Sequence, residues 1–315
     1  MRKSFAMAKQ RQGVWPIPEF NALVSRYFPS PVDGTSRVFY EYGGVSDRGR
    51  VNPHNEDHFA VIHRTRSQHA VLSNLPEGDL GLHSDEAYLL IVADGVGGNA
   101  FGELASRLAI RTLWEVASQA AHWIMRVSDI DLDDIRERVD AHVEVLQRFF
   151  RERALSQPAT AQMGTTWTSA YVMGQDAIIA HIGDSRAYLC RNGRLRRVTR
   201  DHTLAQMLIE TGLQAEKADR FQHVLVNCFG AHASETKAEV RCVHLDDGDS
   251  LLLCTDGLTR HLDDAQIEQH LCSPKTPQAI CESLVGAAVE DGGTDNVTAV
   301  VVRINVPASE AAVDF

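Results

Sequence analysis

Six acidic residues stand where apolar runs begin or end: Glu56, Asp57, Asp94, Asp184, Asp256 and Asp295. Asp94 is the sharpest case. The apolar stretch 89–93 runs straight into Asp94-Gly95-Val96-Gly97-Gly98, which puts the acid at the lip of a strand buried on both faces. Stretches 177–184 and 250–257 repeat the pattern. A carboxylate at the edge of a core needs a partner. Several together, without counter-charge, repel and take up protons, whereas oxygen-ligated divalent cations keep them ionised. An all-oxygen set selects Mg²⁺ or Mn²⁺ over zinc, and the 14 histidines form neither HExxH nor a Cys/His knuckle. One Asp-Gly alone is explained as well by a turn; the chemistry requires all six acids to converge.

The elements that must position them follow from hydrophobic periodicity. Strands are expected at 38–42, 59–63, 88–93, 165–172, 177–182, 224–229, 240–245, 250–255 and from 294 to 304. Asn192-Gly193 marks a hairpin turn within 187–195. Two helices follow Gly102, because Leu104, Leu108, Leu113, Val116 and Ala120, then Leu132, Ile135, Val139, Val143, Leu146 and Phe150, recur at helical spacing. Thr203 with Gln206, Asp263-Asp264 with Gln266, and Thr276-Pro277 read as helix starts. Residues 67–86 form a polar excursion, and 1–36, with Trp15-Pro-Ile-Pro and Phe28-Pro-Ser-Pro, an N-terminal extension. Residues 37–305 then form one catalytic domain and 306–315 a tail. Hairpin-joined strands with helices inserted in blocks give an α+β layered fold.

The chain of 315 residues, 44% hydrophobic, can bury a large core. Its 31 Lys+Arg against 42 Asp+Glu leave a net charge of -11, a field that repels nucleic acid and anionic membranes. No apolar run approaches the ~18 to 20 residues of a membrane helix, and the N-terminus lacks a secretion signal. Six cysteines without a CxxC pair, several of them in strand-like runs, are read as small hydrophobes in a reducing, cytoplasmic setting.

Six segments occur in an order that resembles metal-dependent protein phosphatases of the protein phosphatase 2C type, in the wording of the bacterial branch: Asn55-Glu-Asp-His-Phe59, Asp94-Gly-Val-Gly-Gly98 with Gly102-Glu-Leu-Ala-Ser106, Met163-Gly-Thr-Thr166, Ile182-Gly-Asp-Ser-Arg-Ala-Tyr188, Cys254-Thr-Asp-Gly-Leu-Thr259 and Gly293-Thr-Asp-Asn-Val-Thr298. The resemblance spans residues 40–304. It implies two facing antiparallel sheets flanked by helices, a four-layer α-β-β-α sandwich, with a dinuclear Mg²⁺/Mn²⁺ centre at one end. By the same resemblance Asp94 bridges both metals, the Gly95 carbonyl binds one, and Asp256 and Asp295 bind the other. Glu56 and Asp57 hold waters of the centre, and Asp184 serves a third, weaker metal. The implied reaction is hydrolysis of phosphoserine and phosphothreonine on proteins, partners of a serine/threonine kinase, by in-line attack of a metal-bridging hydroxide. Met163-Gly-Thr-Thr166 is expected to be structural.

Three positions depart from the family pattern. Asn52 replaces the arginine that grips phosphate, which leaves Arg50, or less favourably Arg48, to substitute. Val96 stands where eukaryotic relatives carry a histidine, and Arg260 stands in place of an acid four residues after Asp256. Asn52 and Arg260 admit a rival to an active protein phosphatase, a pseudo-phosphatase that binds phosphoproteins or regulates a kinase; a third reading, the same chemistry on a small phosphomonoester, differs only in what the surface around the site accepts.

Overall fold

Along each central strand alternate side chains point to opposite faces, so a wholly apolar run has to be covered on both sides. In the computed structural model, which describes residues 38–68, 83–97, 100–119, 132–230, 233 and 235–306, that requirement produces four layers. Strands β1 (Phe39–Asp47), β12 (Val297–Asn305), β11 (Ser250–Cys254), β7 (Arg186–Arg191) and β8 (Arg194–Arg197) lie in that order in one sheet. The second sheet runs β10 (Glu239–His244), β6 (Asp176–Ile182), β5 (Trp167–Met173), β3 (His83–Val96), β4 (Gly164–Thr165) and β9 (Phe229–Gly230), with β2 (Asp57–Gln68) also on β3. All pairings are antiparallel among the described residues.

Leu90 and Val92 of β3 face Leu251, Leu253, Val300 and Val302 across the interface between the sheets. Ile91, on the opposite face of β3, packs under helices α1 (Ala100–Gln119) and α2 (Leu132–Ser156) with Ala105, Ala109, Ile135, Val139, Leu146 and Phe150. Val301 and Leu252 turn outward onto two later helices, Asp264–Leu271 and Pro277–Glu290. Full burial of each such side chain stabilises by about 1.5 to 3 kcal/mol, and slipping one strand by a single residue would forfeit a whole row. The sandwich anticipated from the motifs is therefore the one observed, and residues 38–306 form a single compact unit. No helix among the described residues is long and apolar enough to cross a membrane.

Several local expectations need correction. Of residues 224–229 only Phe229 belongs to a strand, β9; Leu225 makes one isolated bridge to Thr203, and Val224 and Val226 are exposed at 36% and 50%. Strands β2 and β3 continue to Gln68 and from His83, which shortens the polar excursion to residues 69–82; these, the extension 1–36 and the tail beyond 306 lie outside the described residues. Thr203 caps the helix Leu204–Glu210 by accepting from the Gln206 amide, but the Gln206 side chain donates to Glu210; the reciprocal capping box occurs instead at Asp263 and Gln266. Finally, Cys190 and Cys272 form a disulfide, with Cα atoms 6.2 Å apart. Spacing along the sequence could not show it, because the pair is 82 residues apart and meets only when β7 packs against the end of a later helix. The cysteines therefore do not support a reducing compartment.

Candidate active site

Antiparallel order brings the six acids together. Asp57 begins β2 opposite Asp94 near the end of β3, and Cys254, the last residue of β11, pairs with Arg186 at the start of β7 and with Ala299 near the start of β12. Asp184 lies in the turn between β6 and β7, Asp256 two residues after the end of β11, and Asp295 two residues before the start of β12. One carboxylate oxygen each from Asp94, Asp184 and Asp256 falls within a 4.8 Å group. These three, with Glu56, Gly95 and Asp295, line one cavity of about 340 Å³. Asp57 sits behind them, only 4% exposed.

Hydroxyls and amides fix this set. Asp57 Oδ2 accepts from Thr255 Oγ1 at 2.7 Å and from Thr298 Oγ1 at 2.8 Å. The Asp94 amide donates to Thr166 Oγ1 at 2.9 Å, while the Asp94 carbonyl accepts from Thr165 Oγ1 at 2.8 Å and from the Thr166 amide at 2.9 Å. Glu56 is held by its backbone: its amide donates to Asn296 Oδ1 at 2.8 Å and its carbonyl accepts from Ser106 Oγ at 2.5 Å. A Cβ at Gly102 would stand 2.8 Å from the Gly95 carbonyl oxygen and would also displace the Glu56 carboxylate, so glycine fits here without moving the backbone.

Burial, followed by the neighbouring charges of Asp57, Asp256 and Asp184, raises the Asp94 carboxyl well above its ordinary range. Burial raises Asp184 strongly too, with Asp256 the next contributor. Asp57 is pushed up to about 7 by burial, against the lowering effect of its two threonine donors. Burial likewise raises Asp256 and Glu56. So many carboxyls driven toward protonation mark a site short of positive charge even with the Arg260 guanidinium beside Asp256. Asp57 Oδ1 and Asp256 Oδ1 are buried without a hydrogen-bond partner. An all-oxygen donor set with orphaned, proton-seeking oxygens fits hard divalent cations.

Residues 69–282 match the family model for protein phosphatase 2C. The chain belongs to the protein phosphatase 2C family. Over 265 residues it is 29% identical to the Listeria innocua serine/threonine phosphatase stp, an alignment that covers 83% of this chain and 94% of that protein. It is 31% identical to the Mycobacterium tuberculosis serine/threonine protein phosphatase PstP over 266 residues, 84% of this chain and 45% of PstP. A crystal structure of the PstP catalytic domain in complex with two manganese ions superposes with a TM-score of 0.64 at 30% identity, covering 85% of this chain and 99% of that one.

Against the protein phosphatase 2C pattern, the departures take a different form from the one expected. Arg50 is exposed, its amide donates to the Gly293 carbonyl at 2.7 Å, and it is not among the described residues lining the cavity; the sequence expectation that it grips phosphate gains no support from its position. Asn52 does line the cavity, and it donates to Asp295 Oδ1 at 2.8 Å. Arg260 bridges Asp256 and Asp295, reaching Asp295 Oδ2 through Nη1 at 2.6 Å and Asp256 Oδ2 through Nη2. Met163-Gly-Thr-Thr166 holds the Asp94 backbone, in keeping with a structural part. The sequence alone assigns no role to Asn296, Thr255, Thr298 or Ser106. Their only signal in the sequence was that they are hydrogen-bonding residues inside or beside the acidic motifs. His54 and His223 also line the cavity, and no spacing pointed to either.

Proposed function

We propose that this chain is a Mg²⁺- or Mn²⁺-dependent phosphoprotein phosphatase that hydrolyses phosphoserine and phosphothreonine. The observation that carries this reading is the gathering of one carboxylate oxygen each from Asp94, Asp184 and Asp256 within 4.8 Å at one end of the sandwich. The PstP structure with two manganese ions supports the same metal chemistry here.

In this reading Asp94 and the Gly95 carbonyl would hold one cation, and Asp94 with Asp256 and Asp295 the other. Glu56 and Asp57 would hold water at the centre, and Asp184 would serve a weaker third position. Two hard cations would supply a hydroxide near neutral pH and neutralise the phosphoryl oxygens. The chain's own contribution is placement. Thr255 and Thr298 keep Asp57 Oδ2 occupied and leave Oδ1 without a hydrogen-bond partner, and Thr165 and Thr166 fix the Asp94 backbone. In the net reaction a water oxygen forms a bond to phosphorus, the ester bond breaks, and the serine or threonine hydroxyl leaves with a proton.

The pseudo-phosphatase reading is not favoured, since every acid implied by the resemblance is present. We further infer that the substrates are products of a cognate serine/threonine kinase in a signalling pair, and that the enzyme works in the cytoplasm, where ATP for that kinase is available. The domain is proposed to span 37–305, with 1–36 and 306–315 outside the catalytic machinery. Phosphate release from phosphoserine and phosphothreonine peptides, with Mn²⁺ and with chelator, tests the function; phosphotyrosine peptides and a small phosphomonoester test its substrate class.

A further inference from the structure

Arg260 carries the one fixed positive charge among the described residues that line the cavity. Its position is firm, because its amide donates to the Asp256 carbonyl at 2.8 Å at the end of a short helical turn. The side chain stands between two acids, Asp256 and Asp295, and remains 41% exposed. Asp256 and Asp295 are also the residues assigned above to one metal, so the guanidinium and that cation need the same oxygens. A guanidinium displaced from carboxylates keeps its planar fork, which matches phosphate oxygens as well as it matches a carboxylate.

The usual phosphate donor is absent. Asn52 has no charge and is committed to Asp295, and Arg50 does not line the cavity. Five carboxylates do: Glu56, Asp94, Asp184, Asp256 and Asp295. A phosphoryl dianion entering such a cavity needs a cation that is not already neutralised by them. We propose, on the basis of the phosphatase reading above, that Arg260 competes with a divalent cation for Asp256 and Asp295 and, once displaced by it, becomes the residue that binds the substrate's phosphoryl group. One side chain then links the two events: metal uptake releases the donor that receives the phosphate.

The test measures binding rather than turnover, by titrating Mn²⁺ into chelator-treated protein by calorimetry and then inorganic phosphate into the Mn²⁺-loaded protein. The variants are Arg260→Met, which keeps the length of the side chain without its charge, and Arg260→Lys, with circular dichroism as a check of folding. Arg260→Met is expected to bind Mn²⁺ about tenfold or more tightly and phosphate about tenfold or more weakly, the size of a lost charge-assisted hydrogen bond. Arg260→Lys keeps charge but loses the fork, so its phosphate affinity should fall between the two. Unchanged Mn²⁺ affinity or unchanged phosphate affinity in Arg260→Met overturns the assignment. Should that variant fail to fold, Arg260→Lys decides: weaker phosphate binding supports the assignment, and wild-type values for both ligands overturn it. Wild-type protein that takes up no Mn²⁺ would instead overturn the phosphatase reading itself.

Discussion

Asn52 Nδ2 donates to Asp295 Oδ1 at 2.8 Å, tying the loop before β2 to the residue that leads into β12, 243 positions away. An amide stands here where the family pattern has an arginine, and its work is to orient a carboxylate. Asn52→Ala should therefore weaken Mn²⁺ binding. With a net hydrogen bond worth about 0.5 to 1.5 kcal/mol, the loss should be roughly two- to tenfold, read by calorimetric titration. Unaltered affinity would mean that Asp295 is positioned without its help.

Asp57 Oδ2 accepts from Thr255 and Thr298, and Oδ1 is already without a partner. In Thr298→Val the carboxyl keeps a single donor in a buried place. We expect a destabilisation of about 1 to 3 kcal/mol in chelator, measured from the denaturant midpoint. A neutral result would show that Asp57 is already protonated and indifferent to the second donor.

Stability in chelator should fall as pH rises. Asp57 moves from an ordinary 3.8 to about 7 in the folded protein, so between those values the folded state holds a proton that the unfolded state has released. Asp94, Asp184, Asp256 and Glu56 are shifted in the same direction. Where the folded state binds more protons, unfolding free energy decreases with pH. The melting temperature in chelator should be higher near about pH 5 than near about pH 8, and added Mn²⁺ should raise it more at the higher pH. A melting temperature that climbs from about pH 5 to about pH 8 in chelator contradicts the electrostatic picture.

Asn296 closes three bonds: its Oδ1 accepts from the Glu56 amide at 2.8 Å, and its Nδ2 donates to the carbonyls of Arg48 at 2.8 Å and His54 at 2.9 Å. Asn296→Ala frees the loop that carries Glu56 and Asn52. At about 1 kcal/mol for each bond the cost should approach 3 kcal/mol, with a lower denaturant midpoint. A change confined to metal affinity, with the midpoint unmoved, would show the loop to be held by other contacts.

Much of this was legible in the sequence for a physical reason. Runs such as 89–93 and 299–302 are apolar at every position, so they can only be central strands, and the helical stripes of 104–113 and 132–150 cover one face. The acids at their ends were visible by type. What was not legible depended on partners distant in the chain. Residues 224–229 look like a strand, but only Phe229, at their end, pairs with a neighbouring strand. Arg50 and Asn52 are two residues apart in one loop, and only the pairing of that loop with Gly293 and Asp295 decides which of them faces the cavity. The substitution at Arg260 was visible, but its simultaneous grip on Asp256 and Asp295 was not, since it follows from β11 and β12 lying side by side.

The most direct test of the central claim is phosphate release from phosphoserine and phosphothreonine peptides by wild-type protein and by Asp94→Asn and Asp256→Asn, each with Mn²⁺ and with excess chelator. The account predicts turnover by the wild type with Mn²⁺ alone, none in chelator, and loss of at least about a hundredfold in either variant with its fold intact. Undiminished turnover in chelator, or in either variant, would contradict it.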